Sequence, residues 1–347
     1  MISPLFSQLL IPFIIAMFLA VTMGGSGTAP AFSAAYGANV VRKSIIPGLF
    51  GIMVFIGAIV AGKGTATTMG KGLLAPEMMT FETVSIILFS VAISLLIANL
   101  AGVPQSTSQA TVLAVVAPAL YFHELNSEKL FLEIIPAWFI LPVISYFISY
   151  FFGKYIYRPM RRRGYTMSRA YNQNLKPVWN GIILIMSLYV AFSIGANNVA
   201  NAAGPIASMT ANELNISIDD NFTLIMILST LIVAPSFGIG SSIFGHKIVQ
   251  NTGKEIVLFG KFEAVIIAFV SASLLLSASL VKGIPTSLVQ LNVASILGIG
   301  VAKLGPKNIF KKTEVKKFFL MWIIAPTIAF LLSLFLTWAA DIYLHKL

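Results

Sequence analysis

The sequence predicts an all-α polytopic membrane protein folded as an inverted-topology repeat with discontinuous helices, and three observations carry that expectation. The first is composition: of 347 residues, 57% are hydrophobic and 10% charged, with a mean hydropathy of +0.89, outside the range of ordinary soluble domains. The second is spacing, since two series of five apolar windows flank one basic loop. The third is that the two series match one another in sequence, and they match at polar interruptions.

Windows of roughly 17 to 25 apolar residues mark the spans. The first covers Leu9 to Met23; the N-terminal stretch before it has no basic residue, so it reads as a membrane helix and not as a cleaved signal. Ile45 to Ala61, Glu82 to Leu100, Leu113 to Phe122 with its polar prelude, and Leu130 to Phe152 complete the first half. The second half runs Val178 to Ile194, Leu224 to Phe244, Glu263 to Val281, Leu291 to Val301 with its own polar prelude, and Phe318 to Tyr343. This divides the chain into a first repeat at 1–153, a basic linker at 154–177 and an inverted second repeat at 178–347.

Four matches recur in the same order. Gly24 in MGGSGTAPA lies over Gly195 in IGANNVANA, Gly70-Lys71 over Gly253-Lys254, Phe81-Glu82 over Phe262-Glu263, and Val103-Pro104-Gln105-Ser106 over Ile284-Pro285-Thr286-Ser287. An odd number of spans per repeat places equivalent loops on opposite sides, and the charges follow that rule. The linker, with Arg158, Arg161, Arg162, Arg163, Arg169 and Lys176 and no acid, should be cytoplasmic. Arg42-Lys43 and the lysines from Lys303 to Lys317 fall on the same side as the linker; Glu124, Glu128, Glu133, Glu213, Asp219 and Asp220 fall on the other. Both ends of the chain are then expected outside. Positive-inside bias also accounts for the net charge of +11 without nucleic acid.

The polar interruptions carry the chemistry. Ile194 to Pro205 places Asn197, Asn198 and Asn201 inside an apolar span, where amides facing lipid are costly, and it is expected to interrupt the helix. Gly24 to Pro30 is its partner break, containing Gly25, Ser26, Gly27 and Thr28, and the other pair is Pro104 to Gln109 and Pro285 to Gln290. Pro suits the first turn of a helix, and Ser106, Thr107, Ser108, Thr286 and Ser287 add hydroxyls beside free backbone N–H groups. Such neutral donors at positive dipole ends bind an oxyanion and release it more readily than Lys or Arg would. The alternatives are that the asparagines only glue helices together and that Ser106 to Ser108 only cap one.

GANNVANAAGP resembles the GANDVANA signature, and VPQSTSQA the P-V-S-T-T-H-A signature, of the inorganic phosphate transporter family, including its sulfate-permease branch. The resemblance implies a secondary transporter that holds its anion between broken helices and couples it to Na⁺ or H⁺. Both signature aspartates are missing: Ser26-Gly27 and Asn197-Asn198 stand where the family has Asn-Asp. Gln109 and Gln290 replace the family's His, and Leu288 and Val289 its second-half Thr pair.

A carboxylate can bind Na⁺ or accept a hydrogen bond from the P–OH of phosphate, whereas sulfate carries no proton and is repelled by one. The expected function is therefore import of an inorganic oxyanion, sulfate first, with proton coupling. Sodium-coupled phosphate transport and an anion channel are the alternatives. Glu82 and Glu263, at equivalent helix starts, are candidates for the coupling proton or are plain helix N-terminal acids; Asn201, Gln109 and Gln290 join them as coupling or gating candidates. No cofactor beyond the coupling ion is expected. Thiol chemistry is excluded by the lack of cysteine, and no nucleophile with a base or metal-ligand spacing suggests an enzyme. His123, His246 and His345 read as solvated, and Trp138, Trp179, Trp322 and Trp338 as packing or interfacial residues. The expected partners are the oxyanion, the lipid bilayer of a prokaryotic inner membrane and, as an open alternative to a monomer, a second copy forming a homodimer.

Overall fold

A backbone in hydrocarbon must satisfy its own hydrogen bonds, so the apolar windows become helices. The computed structural model describes residues 4–100, 105–162, 176–251, 260–311 and 313–344. The first half holds α1 (Pro4–Gly37), α2 (Ile46–Ala61), the short α3 (Lys63–Thr67), α4 (Phe81–Leu100), α5 (Thr107–Tyr121), α6 (Ile135–Phe151) and the short α7 (Arg158–Arg162). The second holds α8 (Lys176–Asn198), α9 (Ala200–Glu213), α10 (Ile218–Val233), α11 (Pro235–Asn251), α12 (Lys261–Val281), α13 (Leu288–Leu304), the short α14 (Pro306–Phe310) and α15 (Thr313–Leu344).

Among the described residues, eight helical segments are long and apolar enough to cross a membrane, with α8–α9 and α10–α11 each counting as one. The fourth and ninth expected spans are the exceptions. The 15 residues of α5 and 17 of α13 reach about 22 and 26 Å, short of a core of about 30 Å. Each begins inside the protein after non-helical chain, at residues 105–106 and 283–287.

Two expected breaks are not breaks. Helix α1 runs through Gly24 to Pro30 without interruption, because its hydroxyls bond within their own helix: Ser26 Oγ donates to the Met23 carbonyl at 3.0 Å and Thr28 Oγ1 to the Gly24 carbonyl at 2.7 Å. The Asn-rich stretch departs from helix only at Val199, which keeps right-handed helical torsions. Asn197 and the Nδ2 of Asn201 find partners on other elements without any unwinding.

The most extensive helix contacts come in pairs: α1 with α11 and α8 with α2, α5 with α15 and α13 with α6, α1 with α4 and α8 with α12. Without a hydrophobic drive in lipid, such contacts depend on small residues and hydrogen bonds. A Cβ on Gly24 would strike the Phe237 carbonyl of α11, and one on Gly195 the Val54 carbonyl of α2. Ser333 of α15 donates to the Ala114 carbonyl of α5 at 2.8 Å, and Ser149 of α6 meets Ser295 of α13 at 2.6 Å.

Loop contacts sort the molecule into two ends. At one end the Asn126 N–H donates to the Leu73 carbonyl at 3.0 Å, Lys71 pairs with Asp219 at 2.5 Å, and Asn212 reaches the Pro76 carbonyl at 2.6 Å. At the other, Lys303 pairs with Glu263 at 2.8 Å, Tyr157 stacks on Phe262 and Lys261 donates to Asn180. Asn180 and Asn212 lie near opposite ends of the α8–α9 span, which fixes the two groups as opposite ends.

Candidate functional site

The starts of α5 and α13 share one local design. Ser106 caps α5 and Ser287 caps α13; each side chain accepts from the backbone N–H of the glutamine three residues on, Gln109 and Gln290, at 3.2 Å in both helices. Those two glutamines then bond each other reciprocally, Gln109 Nε2 to Gln290 Oε1 at 3.1 Å and Gln290 Nε2 to Gln109 Oε1 at 2.8 Å. A buried amide clasp therefore joins the two half-helix N-termini. Ser106 and Ser287 thus cap their helices, and a capped helix still leaves first-turn N–H groups without intrahelical acceptors.

Asn197 ties this pair to the rest of the protein. Its Oδ1 accepts from Ser108 Oγ at 3.0 Å and from the Thr286 N–H at 3.2 Å, while Nδ2 donates to Ser279 Oγ at 2.8 Å and to the Ile284 carbonyl at 3.1 Å. Both amide hydrogens are engaged, so Asn197 is occupied as a staple. Asn201 donates to Ser108 Oγ at 3.3 Å. Trp138, from α6, holds the same segment by donating to the Pro285 carbonyl at 2.9 Å.

Beside the clasp lies a small cavity lined by Ser26, Gly27, Pro30, Gln105, Thr107, Ile194, Asn198, Ser287, Leu288 and Val289. Thr107 opens α5 and Leu288 and Val289 open α13, so two positive dipole ends converge there. No lining residue among those described is charged. Gln105 is fully buried, and neither its Oε1 nor its Nε2 has a hydrogen-bond partner among the described residues; the Oδ1 atoms of Asn198 and Asn201 are likewise unpartnered. Such buried polar atoms cost about 1–3 kcal/mol each.

Of the eleven residues expected to bind an anion, the cavity gathers Ser26, Gly27, Thr107, Asn198 and Ser287. Gly25 and Thr28 pack instead against Phe244 and Gly245 of α11. Ser106 is the α5 cap, Ser108 bonds Asn197 and Asn201, and the Thr286 N–H is taken by Asn197. Pro104 lies outside the described residues. Gln105 was not singled out by sequence reasoning, because a run of adjacent polar residues does not reveal which of them lack partners.

The two glutamates part company. Glu263 is buried, accepts the Gly260 N–H at 2.9 Å in a first-turn cap, and pairs with Lys303. Glu82 is half-buried, follows the cap residue Thr80, and takes no hydrogen bond or ion pair among the described residues. His123 is exposed, as expected of a solvated residue, while His345 and the Gly253-Lys254 match lie outside the described residues.

Comparison with known proteins agrees with this architecture. The model of the phosphate transporter family matches residues 23–333. The sulfate permease CysP of Bacillus subtilis is 32% identical over 94% of this chain and 88% of its own. A Thermococcus kodakarensis relative whose name describes a phosphate permease is 24% identical over 94% of this chain and 96% of its own. A solved sodium-dependent phosphate transporter superposes with a TM-score of 0.78 at 21% identity, covering 97% of this chain and 100% of that one, which establishes the shared fold. With half-helices converging on a polar cavity and a family match over most of its length, the chain is a membrane permease and belongs to the phosphate transporter family.

Proposed function

We propose that this permease is a secondary transporter importing sulfate with protons. The observation that carries the reading is a cavity lined by hydroxyls, amides and half-helix N-termini with no carboxylate. A fully deprotonated oxyanion needs donors and nothing else, whereas phosphate near neutral pH keeps a P–OH that seeks an acceptor. The sulfate permease name of the Bacillus relative supports the same choice. The cavity also lacks the carboxylate oxygens that hard cations favour, which argues against sodium and for a proton.

Glu82 is the proton candidate, since Glu263 is held by Lys303. Division into two inverted repeats, 1–153 and 178–347 around the linker at 154–177, is supported by the paired helix contacts. The acidic loops and the basic loops also sit at opposite ends. We place the basic end in the cytoplasm of a cell membrane and both ends of the chain outside.

Uptake of labelled sulfate and of labelled phosphate into proteoliposomes, each under an inward H⁺ or Na⁺ gradient, tests the proposal. Proton-driven sulfate uptake that saturates, and that Glu82→Gln abolishes without lowering stability, is the expected result. Sodium-driven phosphate uptake overturns it, and flux without saturation or counterflow would identify a channel.

A further inference from the structure

We propose that Gln105 is the specificity-determining amide of this cavity, donating from Nε2 to an oxygen of a fully deprotonated tetrahedral dianion; the assignment rests on the permease reading above. Gln105 immediately precedes the cap residue of α5, is fully buried, and lines the cavity opposite Asn198, Ser287 and the start of α13. Its polar neighbours are committed to the protein: Ser106 to its cap, Gln109 to Gln290, Asn197 to four partners. Gln105, fully buried, keeps both amide atoms without a partner among the described residues, as its cavity neighbour Asn198 does for its Oδ1. Folding supplies no reason to bury such a group, and an anion in the cavity does.

The chemistry favours the amide. It is neutral, so it adds donors without the charge that would slow release, and its long side chain reaches from the first half toward the second. The second half needs that help, because Leu288 and Val289 offer no hydroxyl at the start of α13. The phosphate-type signature carries Val where Gln105 stands, which makes the amide a property of this chain and not of the signature.

The test uses the full chain, purified and reconstituted, with Gln105→Met as a near-isosteric apolar variant and Gln105→Glu as a polar one. Labelled sulfate and phosphate uptake are measured beside thermal unfolding in detergent with and without sulfate. For Gln105→Met the KM for sulfate should rise about tenfold, equivalent to about 1.4 kcal/mol, with the maximal rate within about twofold of wild type. Its melting temperature without sulfate should equal or exceed that of wild type, because an unpartnered group has been removed, and the stabilisation by sulfate should shrink. Gln105→Glu should lose sulfate uptake and retain or gain phosphate uptake, since its carboxylate repels a dianion and accepts from P–OH; it carries the test alone if the Met variant fails to fold. An unchanged KM for sulfate, or a drop in melting temperature with KM unchanged, overturns the assignment. Wild-type uptake reports on the permease reading and the variant-to-wild-type ratio on Gln105; a wild type that moves neither anion overturns both.

Discussion

Asn197 and Asn198 are adjacent, identical and buried, yet they face opposite situations. Asn197 uses both amide hydrogens and its carbonyl oxygen to join α5, α12 and the extended segment before α13. Asn198 makes no side-chain hydrogen bond among the described residues and borders the cavity. A saturated amide in the membrane interior is architecture; an unsaturated one beside converging helix N-termini is available to a ligand. The distinction lies in partners and not in residue type, and it can be broken experimentally.

The largest effect should come from Asn197→Leu, which leaves the Thr286 N–H and neighbouring hydroxyls unpaired in a dry interior and costs about 2–4 kcal/mol. Thermal unfolding in detergent should show a clear drop, whereas Asn198→Leu should unfold at or above the wild-type temperature and fail to bind sulfate. Equal melting temperatures for the two variants would erase the contrast.

Next comes the corresponding contrast between Glu263 and Glu82. Glu263→Gln removes the carboxylate beside the Lys303 ammonium and should destabilise by about 2 kcal/mol, less than a wholly enclosed pair because Lys303 keeps some exposure and stays over the Tyr157 ring. Glu82→Gln should change stability by less than about 0.5 kcal/mol. Chemical denaturation of both variants decides whether one acid is structural and the other free.

The smallest effect concerns the clasp. Gln109→Leu and Gln290→Leu each leave one amide unpaired, so the double variant should be less damaged than the sum of the singles, with a coupling of about 1 kcal/mol. Additive melting shifts would mean that the two half-helices are held together by other contacts.

Much of this was legible in the sequence. The Ser and Gln of the two polar breaks marked the starts of α5 and α13, since a helix that begins inside a membrane needs a cap, but Pro285 precedes the Ser287 cap in non-helical chain instead of occupying the first turn. The lengths of α1 and α8–α9 were not legible. Gly, Ser and Pro30 look like a helix break in one dimension, but Ser26 and Thr28 bond back to their own helix, and Gly24 and Gly195 serve close helix contact. Nor could composition separate Gln105 from Ser108, because both are polar and only the fold gives one of them partners.

The most direct measurement is the ratio of sulfate to phosphate uptake, in one proteoliposome preparation near neutral pH, for wild type and for Asn198→Asp. This substitution is isosteric, unlike an aspartate at Gly27, where an added Cβ would lie 3.1 Å from the Phe50 ring. A donor-only cavity predicts that wild type prefers sulfate and that Asn198→Asp lowers the ratio by about tenfold or more. A wild type that prefers phosphate, or a ratio untouched by the new carboxylate, would contradict it.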